Sequence, residues 1–235
     1  MKLIKLLTIL SIVTIESYSQ NNNAMKVPEI NKEFEKLDIS IFSEHPVAGI
    51  NQKINEESGT TFKLFNGRKY EEWDQKSKRT IRSFYASGER EIKRITGYDY
   101  SVNPIVGIYK EFYPDGKIRV KGLYCWFGFK IGTWFYFDQD GVVAKEEDTD
   151  VGFSFTYKDV FEYCKENNVS LERNSEFKPH ITKSKTSDVP TTYWYITFPF
   201  TDKMITHKLS GVDGTVISIS EEKLNNADQR MGNEL

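Results

Sequence analysis

The feature that most constrains this chain is a set of glycines that recurs at a near-constant interval. An offset of 25 residues places three glycines on glycines, two aromatic residues on aromatic residues and one aspartate on an aspartate. The matched pairs are Gly97 and Gly122, Gly107 and Gly132, Gly116 and Gly141, Tyr109 and Trp134, Phe112 and Phe137, and Asp115 and Asp140. Upstream, Gly88 and Gly67 continue the series less regularly. A fixed period of this length is typical of repeat architectures.

Each repeating unit has the pattern of one β-hairpin. It reads Gly-x-aromatic-x-x-aromatic, then a turn closed by Asp-Gly, then a second strand, and Asp-Gly between apolar runs is a strong hairpin signal. An isolated hairpin is only marginally stable, but stacked hairpins can bury their apolar faces against one another. We therefore predict a mainly β fold, with an antiparallel meander of stacked hairpins over residues 61–148.

These units carry a family resemblance. Residues 107–117 and 132–141 resemble the MORN-variant repeat, whose pattern is roughly Gly-x-Trp/Tyr-x-x-Tyr/Phe-Tyr followed by Gly-Lys. The second unit departs from it by one additional residue before the turn and by Val142 in place of lysine. The resemblance covers residues 61–145, is poor before Gly88, and implies a fold more than a function. In bacteria such repeats occur in exported proteins and in antitoxin-like partners.

The first residues are typical of a secretory signal peptide. Lys2 and Lys5 precede a short apolar run at 6–15, and small and polar residues follow it. We expect cleavage after Ser19, which predicts an exported protein of the periplasm or the cell surface. No later stretch approaches the roughly 18 apolar residues of a membrane-spanning helix, so no transmembrane span is predicted.

Residues 20–60 are polar and weakly patterned. Pro28 followed by Ile30, Phe34 and Leu37 predicts a short amphipathic helix, and residues 43–60 read as a loop.

A small α+β unit is predicted over residues 152–222. Thr156 and Asp159 have capping-box spacing, and an apolar stripe follows at Tyr157, Val160, Phe161 and Cys164. Residues 174–191 read as a loop. Three strands are expected, at 193–200, 203–209 and 215–220, before a frayed tail at 223–235. The order of a helix, a Trp-bearing strand and a strand entered through Asp-Gly resembles a PepSY-type module.

Aromatic residues lie on both faces of the predicted hairpins. Because side chains alternate along a strand, Tyr109 and Tyr113 share one face, and Trp134 and Tyr136 share a face of the next unit. One interpretation is that one row forms the core while the other covers the sheet. The other is that the row formed by Tyr109, Tyr113, Trp134 and Tyr136 is an exposed binding surface for peptide or glycan.

Two cysteines, Cys125 and Cys164, lie in different segments. An oxidising compartment permits a disulfide between them, which would tie the repeat region to the α+β unit. The alternative is a pair of buried free thiols.

The sequence contains few residues arranged for chemistry. His45, His180 and His207 lie far apart without metal-ligand spacing. Asp138-x-Asp140-Gly141 starts like a calcium loop but lacks the later ligands, so it reads as a hairpin turn. The acidic cluster Glu71, Glu72 and Asp74 reads as a solvated loop. No catalytic residues, metal or cofactor are predicted.

These observations predict an exported, non-enzymatic binding or scaffold protein of the cell envelope. Its partner is an unidentified protein or glycan, and a net charge of −2 argues against nucleic acid. One alternative is an immunity- or antitoxin-like partner of a secreted effector. The other is an envelope glycan hydrolase, which would need a pocket with two carboxylates or with a carboxylate and His180 or His207.

Overall fold

The computed structural model describes residues 26–42, 50–55, 60–65, 68–88, 91–173, 178–186 and 191–223. Within these ranges it contains thirteen strands in two antiparallel sheets, one α-helix and one short 3-10 helix. The mainly β fold class is thereby confirmed. The predicted signal peptide at 1–19 and all but the first residue of the predicted tail lie outside the described residues.

The larger sheet is an antiparallel meander whose strands pair in chain order, as the repeats predict. Its nine strands are β1 (Ile50–Asn55), β2 (Thr60–Phe65), β3 (Lys69–Asp74), β4 (Arg79–Ser87), β5 (Arg94–Asp99), β6 (Val106–Phe112), β7 (Ile118–Cys125), β8 (Lys130–Phe137) and β9 (Val143–Asp148). Strand β1 lies where a loop was predicted. It is defined by its pairing with β2, because its polar sequence lacks the apolar alternation that marks a strand.

The repeated glycines have two different structural roles. Gly116 and Gly141 adopt positive φ angles of 86° and 84° and close the hairpin turns, as predicted. Gly107 and Gly122 instead lie within strands and leave room for an aromatic ring. A Cβ atom on Gly107 would lie 2.5 Å from the Tyr100 ring, and one on Gly122 would lie 2.4 Å from the Trp134 ring. Gly107 and Gly122 are therefore each paired with an aromatic ring, whereas a Cβ atom on Gly132, the repeat equivalent of Gly107, would meet no described atom within 4 Å.

Residues 26–42, which we call the N-terminal strap, correct the prediction of a helix at 28–37. Their one described helical turn is the 3-10 helix Ile39–Phe42. The Leu37 N–H donates to the Gly116 carbonyl at 2.8 Å, and the Ile118 N–H donates to the Glu35 carbonyl at 2.9 Å. The backbone of the strap bonds to the β6–β7 hairpin rather than to itself, which is why the helical spacing of its apolar residues is misleading.

The strap closes one face of the large sheet, which we call the covered face. Its apolar residues Ile30, Leu37, Ile41 and Phe42 belong to one cluster with Ile95, Phe112, Ile118, Phe135 and Phe137 of the sheet. Beside this cluster, Lys121 is 1% exposed, and its Nζ donates to Asn31 Oδ1 at 3.0 Å, the Glu33 carbonyl at 2.6 Å and Glu35 Oε1 at 3.0 Å.

The C-terminal unit consists of α1 (Tyr157–Glu166) and a sheet of four strands. These are β10 (His180–Lys185), β11 (Thr192–Phe200), β12 (Lys203–Ser210) and β13 (Val216–Lys223), paired in that order. The capping box of Thr156 and Asp159 is present as predicted. Strand β10 lies within the predicted loop at 174–191. Its polar sequence gives little strand signal, and its pairing with β11 defines it.

One core joins the C-terminal unit to the large sheet. Trp194, Ile181 and Cys164 pack with Cys125, Phe127 and Phe129 of the β7–β8 hairpin. On β6, Val106 belongs to this core and Phe112 to the strap cluster, and residues an even number apart share a face. The C-terminal unit and the strap therefore close the same face of the sheet.

Candidate binding cleft

The opposite face of the large sheet, which we call the open face, carries a row of contacting aromatic rings. Tyr85, Tyr98, Tyr109, Tyr124 and Trp134 come one from each of the strands β4 to β8. The Tyr98 ring centroid lies 6.5 Å from that of Tyr85, 5.3 Å from that of Tyr109 and 6.0 Å from that of Tyr124. Tyr109 stacks on Trp134 with centroids 5.1 Å apart. This aromatic row is a continuous surface produced by the repeat.

The structure brings two of the four predicted binding residues together, Tyr109 and Trp134. Trp134 is 2% exposed, donates its indole N–H to the Leu123 carbonyl at 3.1 Å, and lies below the Lys130 ammonium. The Trp134 ring therefore packs beneath the aromatic row and is not accessible to a ligand. Burial, with the nearby Glu111 carboxylate, raises the pKa of Tyr109 to about 12, so its hydroxyl stays protonated at neutral pH.

The other two predicted residues, Tyr136 and Tyr113, are held by hydrogen bonds of their hydroxyl groups. The hydroxyl of Tyr136 bonds to Glu147 and also accepts from the Lys130 ammonium at 3.1 Å. Tyr113 lies at the β6–β7 turn and donates its hydroxyl to the Phe137 carbonyl at 2.9 Å. These contacts tie both side chains to the sheet itself.

A cleft of about 380 Å³ opens at the Tyr98 end of the row. Strands β3, β4 and β5 form one side, and Trp126 with Arg173 from the segment after α1 forms the other. Tyr98 and Tyr100 lie between these walls, with their rings parallel and 6.4 Å apart. The cleft thus has an aromatic floor and walls that carry charge.

Part of the charge in the cleft is neutralised by ion pairs. The Arg82 guanidinium bonds to Glu72 at 2.9 Å and to Asp99 at 3.0 Å. Glu71 pairs with the Lys69 ammonium at 2.8 Å. The acidic cluster predicted to be a solvated loop is instead on β3, where Glu71 and Glu72 are half-buried partners of basic residues.

Arg79 and Arg173 are different, because neither forms an ion pair with any residue that the structure describes. The Arg173 guanidinium carbon lies 3.9 Å from the Trp126 ring centroid and 4.6 Å from that of Tyr100. Its Nη1 makes one long contact, at 3.5 Å, to the Pro104 carbonyl. Desolvation lowers the pKa of Arg173 to about 10, with the like charge of Arg79 acting in the same direction.

Two polar atoms of the cleft residues are buried without a hydrogen-bond partner among the described residues. They are Arg79 Nη1 and the indole nitrogen Trp126 Nε1, and both are donors. A buried donor without a partner costs about 1–3 kcal/mol, so such groups commonly mark a position that a ligand or water fills. Sequence reasoning missed these residues, because Arg79, Trp126 and Arg173 belong to separate segments that no local pattern connects.

The predicted cysteine pair lies in the core joining the two sheets, as two buried free thiols. Burial raises the pKa of each thiol, Cys125 and Cys164, to about 12, which keeps them protonated and unreactive.

The remaining candidates lie away from the cleft. Asp138 caps its hairpin turn by accepting from the backbone N–H groups of Asp140 and Val142, as the turn interpretation predicts. His207 is buried against Tyr163, and His180 is exposed on β10, while His45 is outside the described residues. Across the part of the chain that is described, no group of three or more His, Cys, Asp or Glu side chains is placed to hold a metal. No helix there is long and apolar enough to cross a membrane.

Comparison with known proteins bears on one hairpin. The family model of the MORN repeat variant matches residues 105–125, which comprise β6, its turn and β7. Repeats of this family are generally non-catalytic scaffolds that bind proteins or membranes. A search of curated proteins found no match to this chain. The resemblance noted in the sequence is therefore supported for the hairpin with the most regular repeat.

Proposed function

We propose that this chain is an exported, non-enzymatic scaffold of the cell envelope that binds a partner protein on the open face of its repeat sheet. The observation that carries the proposal is the difference between the two faces. The strap and the C-terminal unit close one face, while the aromatic row and its cleft occupy the other.

The composition of the open face suits protein recognition. Tyrosine and tryptophan provide rigid, amphipathic contact area and are enriched where interfaces derive most of their energy. Tyr85 is 40% exposed at the rim of the cleft and packs against Tyr98 behind it. The binding role of MORN repeats supports the same proposal, and the predicted signal peptide supports export.

Affinity capture from the native envelope tests the proposal. The purified chain, Tyr85→Ser and a matched control, Phe200→Ser, are immobilised and challenged with solubilised envelope. Phe200 is also an exposed aromatic residue, but it lies on the C-terminal sheet. We expect a protein that the wild type and Phe200→Ser capture and Tyr85→Ser does not.

Equal capture by Tyr85→Ser and the wild type would contradict the proposed surface. If the captured molecule is a secreted effector whose activity falls on binding, the immunity-like role replaces the scaffold role while the same surface is retained.

A further inference from the structure

We infer that the cleft between Arg79 and Arg173 is a carboxylate-binding pocket, which receives an acidic side chain or the C-terminal carboxylate of the partner protein. This inference rests on the proposed function and gives its binding surface a specific chemistry.

Two arginines of the cleft carry positive charge that no ion pair with a described residue neutralises. Arg82 and Glu71 have ion-pair partners, whereas Arg79 and Arg173 have no such partner among the described residues. The Nε of Arg79 donates instead to the neutral Ser77 hydroxyl at 3.2 Å. The two arginines line one cleft and lie close enough for the charge of Arg79 to lower the pKa of Arg173. Asp74 attracts Arg79 without forming an ion pair with it. An anion placed between the two arginines would offset the repulsion between them directly.

The cleft residues also include two buried hydrogen-bond donors that no described group uses. Arg79 Nη1 and Trp126 Nε1 are buried with no hydrogen-bond partner in the described part of the chain, and each can donate a hydrogen bond. Stacking on Trp126 and Tyr100 holds the Arg173 guanidinium in place, and its one hydrogen bond to a described residue is the long contact to the Pro104 carbonyl. A planar guanidinium fixed in this way matches the two oxygens of a carboxylate in a bidentate pair.

The volume of the cleft limits the size of its ligand. A volume of about 380 Å³ accommodates one side chain or a chain terminus rather than an extended polymer. The Tyr98 and Tyr100 rings on the floor of the cleft provide an apolar surface for the aliphatic part of such a group. A carboxylate carried by a peptide segment therefore fits the cleft, and the rest of the partner would lie along the aromatic row.

The test is a titration of the purified full chain with four probes. Three are N-acetylated tetrapeptides: amidated Gly-Tyr-Glu-Gly, amidated Gly-Tyr-Gln-Gly, and Gly-Tyr-Gln-Gly with a free C-terminal carboxylate. The fourth is inorganic phosphate. Binding is followed by the NMR signal of the Trp126 indole N–H, which a Trp126→Phe variant assigns. The two peptides that carry a carboxylate distinguish a side-chain source from a terminal one.

We expect at least one carboxylate peptide to shift the Trp126 signal, and the neutral peptide to bind at least about tenfold more weakly, since a charged hydrogen-bond partner is lost. Arg79→Gln and Arg173→Gln should each weaken carboxylate binding by a similar factor. The carboxylate affinity of Arg173→Lys should fall between those of the wild type and Arg173→Gln, because lysine keeps the charge but cannot form the bidentate pair. Arg94→Gln, at an exposed arginine of β5, is the control and should bind like the wild type.

Equal binding of the neutral and acidic peptides would overturn the inference, and so would binding of phosphate in clear preference to both carboxylates. Both Arg79→Gln and Arg173→Gln are used because one of them could fold poorly. Unchanged carboxylate binding in both variants would also overturn the inference. If no peptide binds but envelope capture still depends on Tyr85, only the carboxylate inference fails. If the acidic peptides bind but envelope capture fails, only the proposed partner protein is lost.

Discussion

Lys121 links the large sheet to the N-terminal strap through one buried ammonium group. It is almost fully buried in β7, and its ammonium group makes three hydrogen bonds to the strap. Burial disfavours the charged form of Glu35, but Lys110 and Lys121 together hold the pKa of that carboxyl below its usual range. An apolar residue at this position would leave the acceptors of the strap without this donor.

Replacing Lys121 with Met should lower the free energy of unfolding by about 2 kcal/mol or more, because the Asn31 and Glu33 acceptors lose a charged donor. Urea denaturation measures the change. Lys158→Met, at an exposed lysine of α1, is the control and should change stability by less than about 0.5 kcal/mol. A Lys121→Met variant as stable as this control would refute the role assigned to the ammonium group.

Gly122 is a strand glycine that leaves room for an aromatic ring, and its replacement tests this role. Its substitution by Ala should destabilise the fold by about 1–3 kcal/mol, because the added methyl group would overlap the buried Trp134 ring. The comparison is Thr133→Ala, at an exposed position of β8, which should cost much less. Thermal unfolding of both variants would show the difference, and equal melting temperatures would argue against the glycine–ring pairing.

His207 should make stability depend on pH. Burial lowers the pKa of this histidine, so the unfolded chain binds more protons than the folded chain as the pH falls below about 6.5. The contribution of His207 to the free energy of unfolding is therefore greatest above about pH 6.5 and declines as the pH falls below that value. The urea midpoint of wild type should drop between about pH 7.5 and about pH 5.5, and His207→Phe should reduce this drop. His180→Gln is the control, and a decline that is unchanged in His207→Phe would exclude His207 as its source.

The strap is the element that the sequence misrepresents most. Its apolar residues Ile30, Phe34 and Leu37 follow helical spacing, yet Ile30 and Leu37 reach the covered face from an extended chain. Phe34 instead lies against the turn glycine Gly141. Side-chain spacing cannot reveal this, because the strap is held by main-chain bonds to a distant hairpin.

Hydrogen exchange tests the docked strap with an internal control. The Leu37 amide donates to Gly116 and should exchange slowly, whereas the neighbouring Lys36 amide has no such acceptor among the described residues and should exchange quickly. Helical structure in the strap would instead protect consecutive amides, so similar protection of both would contradict the extended arrangement.

Across the whole molecule, the sequence predicts what local chemistry encodes. Asp-Gly turns, strand alternation and the capping box at Thr156 predict the meander, the last three strands and α1 correctly. The polar strands β1 and β10 were missed, because pairing rather than apolar alternation defines them.

The candidate site was predicted less completely than the fold. Alternation correctly divides the aromatic residues between two faces, and it placed Tyr109 and Trp134 together. It cannot tell which ring is covered, so Trp134 was assigned to the surface although it is buried. Nor can it bring Arg173 to Arg79, since that proximity depends on how the C-terminal unit packs against the sheet.

Tyrosine footprinting of the chain, alone and bound to its captured partner, tests most directly the claim that the open face is the binding surface. We expect Tyr85 to be modified in the free protein and protected in the complex, and Tyr98 to show the same change. Tyr193 and Tyr195 on β11 should be modified equally in both states. Protection of Tyr193 and Tyr195 without protection of Tyr85 would place the partner on the C-terminal sheet and contradict the account.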